Sequence, residues 1–429
     1  MSNSGAAVLV GEVPVEGRRW KLVVLLLSGM MLCYAQRGTL SVAAPFMISD
    51  FGISKATMGL MLSAFSWSYC FMQVPSGWTV DRFGVRRAYA FGMGLWSIAC
   101  AFTGAFRHIA AIMFFRVMMG VGQSVAFPAS ARTVANWFPD TQRGLVNSSY
   151  LTGVRLGQAL VNAVGVGLIA TFGWRLFFVG SGLLPMLWIV PWMIVLRGFE
   201  APKRGPKSVG PGATQDPQTE ARFSFGSTFG LLRHPTVLGT FLGFFAYDYV
   251  WFVFTSWLPG YLRLERHLTP AQVAFHSSAP FVAMSFVILV SGIATDWLIA
   301  SGMREIRVRK AFIGIGFAFA AAIVPAGLVH DNGTAMWLIW ISLCGIGLAA
   351  PNTWSMTQAC CTKSLVGTVS GIQNFGGNIA GIIAPWLTGV IADRTGSFAP
   401  AFVLCGFILA GGVLAYWLLM NEIVRELPA

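Results

Sequence analysis

GWTVDRFGVRR occupies residues 77–87, closing one apolar run and crossing a short basic stretch. Its opening spacing, Gly-x-x-x-Asp, returns in the second half as GIATD, Gly292–Asp296. Each copy closes the second apolar run of its own half. A second register repeats as well, since the interval from Gly144 to Gly173 equals that from Gly367 to Gly396. Two copies of one helical plan are therefore expected, meeting face to face with room for a site between them.

Working outward from these repeats, the chain has 429 residues, 55% hydrophobic and only 10% charged, with a mean hydropathy of +0.67. A soluble chain carries about 25% charged residues, so lipid must be the solvent for most of this one. Twelve runs are long and apolar enough to cross a bilayer: about 22–47, 58–80, 88–106, 109–131, 145–171, 176–196, 236–262, 272–295, 311–329, 334–359, 366–391 and 398–420. The expected fold is all-α, with twelve transmembrane helices in two pseudo-symmetric six-helix bundles.

One long polar break, from Arg197 to about Arg233, is rich in Pro, Gly and charge and reads as a flexible linker. The plan is then a tail at 1–20, a six-helix bundle at 21–197, a linker at 198–233, a second bundle at 234–420 and a tail at 421–429. Of the 29 Lys and Arg, twenty fall on the side of the termini, six on the other side, and Arg37, Arg116 and Arg155 inside spans. That bias puts both termini in the cytoplasm of a multi-pass protein of the inner or plasma membrane. It also accounts for the net charge of +13 without nucleic acid as a partner.

Cys33, Cys70, Cys100, Cys344 and Cys405 lie in apolar runs, and the neighbours Cys360 and Cys361 are too close for an ordinary bridge. All seven cysteines are expected to be reduced packing residues. No CxxC or His-rich spacing marks a metal, and no cofactor is expected. Gly17–Arg18–Arg19 runs into a long span without a cleavage site, so no cleavable signal is expected.

GWTVDRFGVRR resembles the loop signature of the major facilitator superfamily between spans two and three. Physically, Gly77 and Gly84 permit close approach and a tight turn. Asp81, Arg82, Arg86 and Arg87, with Asp296 in the second copy, offer ionic contacts that can switch at the cytoplasmic face; plain positive-inside loop charges are the alternative. Other stretches are similar to one branch, the anion:cation symporters. They are YAQRGTLSVAAPFM in span one, SYCFMQVPSGW in span two, RVMMGVGQSVAFPASARTVANWFP in and after span four, and FGWRLFF opening span six. YDYVWFVFTSWLPGYL in span seven and GIQNFGGNIAGIIAPWLTGVIADRTGSFAPAF through spans eleven and twelve complete the set. The resemblance covers nearly the whole membrane region and implies carriage of an anion, such as a sugar acid, tartrate, phthalate or phosphate.

Of the 16 acidic residues only Asp248 lies inside a span, against Arg37, Arg116 and Arg155. A charge at bilayer depth costs at least about 2.5–3.5 kcal/mol, so each needs a wet cavity or a partner. Three cations and one anion leave the interior positive, and a guanidinium fork grips carboxylate or phosphate through two hydrogen bonds. The passenger is expected to be a small organic anion. By resemblance, Arg37 is the substrate-binding arginine of span one, with a plug on backbone carbonyls near Gly38 as the alternative. Arg116 matches the fourth-span arginine that tunes a nearby acid. Arg155 is less expected in the family and is placed on the cavity wall opposite Asn378.

Many proton-coupled relatives carry an aspartate before the span-one arginine and a glutamate in span four. Gln36 and Gln123 stand there in this chain and cannot titrate. Asp248 is then either a relocated proton site or the structural partner of Arg37 or Arg155, burial opposing its charge and a nearby arginine favouring it. Importing a monovalent anion against an interior-negative potential costs roughly 2.3 kcal/mol per 100 mV, so uptake needs a proton or an exchanged anion.

Polar residues complete the expected site. Tyr34 lies one turn before Arg37. Asn374 and Asn378, four apart on one face, can bond the hydroxyls of a polyol acid, or join helices beside their glycines. Gln373 points elsewhere. Tyr69 and Gln73 in span two, Gln123 in span four, and Trp354 and Ser355 in span ten are further candidates, while His276 reads as packing.

The expected function is secondary transport of a sugar acid or other carboxylate by a monomer working through alternating access, coupled to protons. An organophosphate–phosphate exchanger and an uncoupled organic-anion carrier are the transport alternatives. A polytopic membrane enzyme would need a clustered nucleophile, a metal set or paired carboxylates, none of which the sequence offers, and a sensor would need a large soluble domain.

Overall fold

An apolar run in lipid must satisfy its own backbone, and a helix is the structure that does so. The computed structural model describes residues 16–138, 140–197, 230–362 and 365–420. The start of the N-terminal tail, linker residues 198–229, the loop residue Lys363 and the tail 421–429 lie outside the described residues. Those described build twelve crossings. Spans one to three are Glu16–Phe51, Lys55–Phe83 and Val85–Ala105. Span four is Ile109–Gln123 continued by Ala126–Trp137. The helix Asp140–Leu183 holds span five and the start of span six, parted at Gly173; six goes on through the 3-10 turn Leu184–Trp188 and Ile189–Val195.

The second half repeats the plan. Span seven is Pro235–Leu264, eight Pro270–Ala300, nine Glu305–Ala320 with Ile323–Leu328, and ten Asn332–Ala359. Span eleven is Val366–Thr395, and twelve is Ala399–Leu414 ending in a π turn, Ala415–Leu419. Several starts carry side-chain caps that satisfy the first free N–H groups. Ser54 accepts from the Thr57 amide, Thr269 and Gln272 form a capping box, and Asp331 accepts from the Thr334 amide. Gly173 and Gly396, the two ends of the repeated register, both take positive φ, 78° and 76°. All seven cysteines are free thiols.

Within the first half, spans one and five pack backbone to backbone. A Cβ on Gly153 or Gly157 would strike the carbonyl of Leu27 or Met31. Small residues at four-residue spacing allow this approach in lipid, where burial of apolar surface gives no drive between helices. That contact fixes the height of Arg155, between the two glycines, against span one.

The halves meet through spans one and seven, two and eleven, and five and eight. Cross-half contacts concentrate at the end away from the chain termini. There the Ser41 hydroxyl donates to the Ser256 carbonyl at 2.7 Å, Asn162 donates to the Ser277 carbonyl at 2.6 Å, and the Lys55 amide donates to the Asp393 carboxylate at 3.3 Å. A Cβ on Gly59 would stand 2.6 Å from the Pro385 carbonyl oxygen, and one on Gly389 would strike the Lys55 carbonyl. Towards the termini the contact thins to the edge-on pair Phe71 and Phe375, 6.5 Å between centres. The result is a cleft sealed at one end and open at the end bearing Asp81. Span two is less apolar than the other spans, because its Ser63, Ser66, Tyr69 and Gln73 run along this interface instead of facing lipid.

Candidate functional site

Arg37 lies just past the middle of span one, where the Gly38 that follows admits the Gln158 amide of span five against the backbone. Its guanidinium is ringed by aromatic faces: Tyr34 at 4.3 Å, Phe65 at 4.4 Å and Tyr69 at 4.6 Å to the ring centres. Rings present their negative faces to a cation and stabilise it without cancelling its charge. Arg37 Nε donates to Gln123 Oε1 at 3.2 Å, which sets the direction of the fork. Its Nη2 is buried with no hydrogen-bond partner.

Arg116 of span four stands behind it, 2% exposed. Its Nη2 donates to the Arg37 carbonyl at 3.4 Å, while its Nε has no partner. Arg155 comes from span five and stacks on Trp251 of span seven, Cζ 4.3 Å from the ring centre, with Nε again unpartnered. None of the three arginines has a carboxylate within 4.0 Å among the described residues. Arg37 and Arg116 line the sealed floor of the cleft with Tyr34, Ser41, Gln158 and Trp251. The backbone-plug alternative for Arg37 does not describe this geometry, because none of its nitrogens bonds a carbonyl among the described residues.

The other expected residues divide. Tyr34 and Tyr69 face Arg37, and Gln73 lies beside the Tyr69 hydroxyl. Gln123 is wholly buried with both ends engaged, its amide nitrogen donating to the Cys33 carbonyl at 3.0 Å, so it holds Arg37 and is shut off from the open cleft. Asn378 is turned back on its own helix, donating to the Asn374 carbonyl at 2.8 Å; neither asparagine reaches the floor. Trp354 packs edge-on against Phe244 at 5.1 Å, and Ser355 lies beside it on span ten, both away from the floor. Gln373 points elsewhere as expected, tying span eleven to Thr357 and Thr353 of span ten.

Gln36 is fully engaged as an amide. It donates to Ser97 and to the Ser181 carbonyl and accepts from Trp96 Nε1 at 2.6 Å. Such a set needs a donor and an acceptor on one side chain, which a carboxylate cannot supply. Sequence reading passed over Gln158, Phe65, Trp251 and Thr255 on the cleft wall. Their signal was available in part, since Arg155, Gln158 and Asn162 form a polar stripe at helical spacing along span five.

At the open end the ionic contact differs from the expected one. Asp81 pairs with Arg132 of span four at 3.5 Å, with both side chains well exposed. Arg82 lies over Trp78 at 5.6 Å, the Arg86 carbonyl accepts from Trp192 Nε1, and Arg87 is exposed. Gly84 has φ 79° and ψ 151°, a backbone open only to glycine, so the tight turn is as read. Gly77 makes no close approach: nothing lies within 4 Å of where its Cβ would be, because the cleft is open there. Asp296 is exposed and has no ion pair among the described residues.

The sequence profile of the Major Facilitator Superfamily matches residues 26–385. The chain belongs to that superfamily. It is a multi-pass membrane transporter and not an enzyme. It is 30% identical to a D-galactonate transporter of Escherichia coli O6:H1, across 96% of this chain and 99% of that one. It is also 30% identical to a hexuronate transporter of Bacillus subtilis, across 94% of this chain and 95% of the other. Among solved structures it matches a bacterial homologue of the human lysosomal transporter Spinster with a TM-score of 0.79, 18% identity and coverage of 97% and 100%. In this family's two-bundle fold, the sealed and open ends of the cleft are the two faces of the membrane.

Proposed function

We propose that this transporter carries a small sugar acid, an aldonate, uronate or aldarate, and that Arg37 is its anchor. The observation that carries this reading is the unpartnered Nη2 of a guanidinium fixed in an aromatic ring at the floor of an open cleft. A buried donor left without a partner costs about 1–3 kcal/mol or more, and an entering carboxylate removes that cost. The relatives named for galactonate and hexuronate support the chemical class. Arg155 lies on the same wall, and Ser41, Thr255 and Gln158 offer bonds to hydroxyls. Tyr34, Tyr69 and Gln73 surround the anchor, and Arg116 and Gln123 position it. Asn374, Asn378, Trp354 and Ser355 join the site only when the halves close.

The protein is a monomer of the plasma membrane with bundles at 21–197 and 234–420, the linker and both termini in the cytoplasm. The open end then faces inward. The loop around Gly77, Asp81, Gly84 and Arg132, with Asp296 opposite, closes that end in the other half of the cycle. The test is a thermal-shift screen of the purified protein against carboxylates and phosphate esters, followed by uptake into vesicles. Stabilisation by sugar acids that is lost in Arg37→Ala is expected; a response confined to phosphate esters sinks the reading. The locked amides of Gln36 and Gln123 favour a second reading, exchange of one anion for another without protons.

A further inference from the structure

Span seven meets Arg155 with three of its residues. Trp251 lies under the guanidinium, the Tyr247 hydroxyl is turned to it, and Asp248 sits between them in sequence. Asp248 is half-buried and one turn from Trp251 and Phe252, which line the cleft. The charges acting on its carboxylate are those of Arg155 and, more weakly, Arg37, both from the opposite half. It has no ion pair within 4.0 Å and no hydrogen bond among the described residues. Tyr247 on its own helix and Tyr416 from the end of span twelve are the other titratable groups near it. Span eleven, packed over it, brings Gly377 and no titratable side chain. A Cβ on Gly377 would strike Asp248 Oδ2, so that glycine makes the room the carboxylate occupies.

These features do not suit a structural ion pair, which would close to contact. A carboxylate held short of two guanidiniums and attached to the other bundle suits a group that gives way. We propose that Asp248 is the proton-carrying carboxylate of the transport cycle, balancing the cationic cleft when it is empty and taking up a proton when a substrate carboxylate replaces it. The step balances. A proton from outside water adds to the Asp248 carboxylate, and a monoanion enters beside Arg37 and Arg155. After the halves rearrange, the anion leaves to the inside and the carboxyl returns its proton to water there. One proton and one monoanion cross with no net charge, which removes the cost set by the membrane potential. The inference rests on the sugar-acid reading and adds the coupling group to it.

The test uses the full chain in proteoliposomes with labelled D-galactonate, D-glucuronate and D-glucarate. Wild-type protein is expected to accumulate at least one of them when the interior is more alkaline, with a rate that rises as the outside is acidified. Asp248→Asn is expected to lose accumulation above equilibration and to show a flat pH profile, while counterflow remains measurable and shows a folded, binding-competent protein. Asp248→Glu is expected to restore a pH-dependent rate, and Gly377→Ala to shift the midpoint of the profile. Unchanged gradient-driven accumulation in Asp248→Asn overturns the inference. Wild-type accumulation that does not respond to a pH gradient, with counterflow intact, overturns it too and leaves exchange standing. Failure of the wild type to move any of the three anions overturns the sugar-acid reading, and the inference with it.

Discussion

The Arg155 guanidinium rests 4.3 Å from the centre of the Trp251 ring, so that one cation–π stack bridges the two bundles at the floor of the cleft. A desolvated stack of this kind is worth about 2 kcal/mol. Trp251→Leu keeps the surface apolar and frees Arg155 to close on Asp248. The expected outcome is a rise of up to about thirtyfold in the half-saturating anion concentration, since each 1.4 kcal/mol corresponds to a factor of ten. Concentration-dependent uptake checks it, and an unaltered half-saturation refutes it.

Arg37→Lys keeps the charge but gives up the planar fork and its bond to Gln123. Loss of a charge-assisted hydrogen bond of about 2 kcal/mol lowers the uptake rate by roughly thirtyfold. Arg37→Ala abolishes it. The amount of monodisperse protein recovered in detergent is expected to match the wild type, which separates loss of binding from loss of folding.

Gln123→Glu sets a carboxyl where the amide oxygen now lies 3.2 Å from Arg37 Nε. Ionised, it pairs with the anchor and competes with the passenger; protonated, it again resembles the amide. Uptake is therefore expected to fall at neutral pH and recover as pH drops. The comparison of variant and wild-type pH profiles decides it, and parallel profiles would exclude any influence of this position on the anchor.

Gly389 allows span eleven to lie on the Lys55 carbonyl at the sealed end. In Gly389→Leu the seal cannot close, and the transporter is expected to dwell with this end open. A Ser41→Cys reporter, now buried and bonded to Ser256, then reacts with an impermeant maleimide applied from outside, above the signal of the native thiols. Protection equal to that of the unmutated seal argues against this arrangement.

Gly84→Ala forces a side chain into φ 79°, ψ 151°, at a cost of about 1–3 kcal/mol. A thermal midpoint several degrees lower is expected, measured on protein without added ligand. A midpoint within error of the wild type means the turn between spans two and three relaxes freely.

The helices were legible because lipid leaves a run of apolar residues one way to satisfy its backbone, and the paired Gly173 and Gly396 announced two ends in advance. Breaks inside spans were not. The turn at Ser124–Val125 and the 3-10 segment at Leu184–Trp188 lie in sequence as apolar as their flanks. Arg37 was readable as a charge out of place in lipid. Its ring of Tyr34, Phe65 and Tyr69, and the meeting of Arg155 with Trp251, depend on how separate helices rotate, and uniformly greasy spans give little periodicity to fix rotation. Gly77 misled for a related reason: its spacing belongs to a motif at the end of the cleft that is open in this conformation.

The sealed end is built largely of main chain against main chain, at Gly59 with Pro385 and at Gly389 with Lys55. At those two contacts there are no rotamers to flicker, so thermal motion of single side chains opens them less readily than it opens a plug made of side chains. The seal yields there only when an entire helix departs, which makes leakage at these contacts and turnover the same rare event.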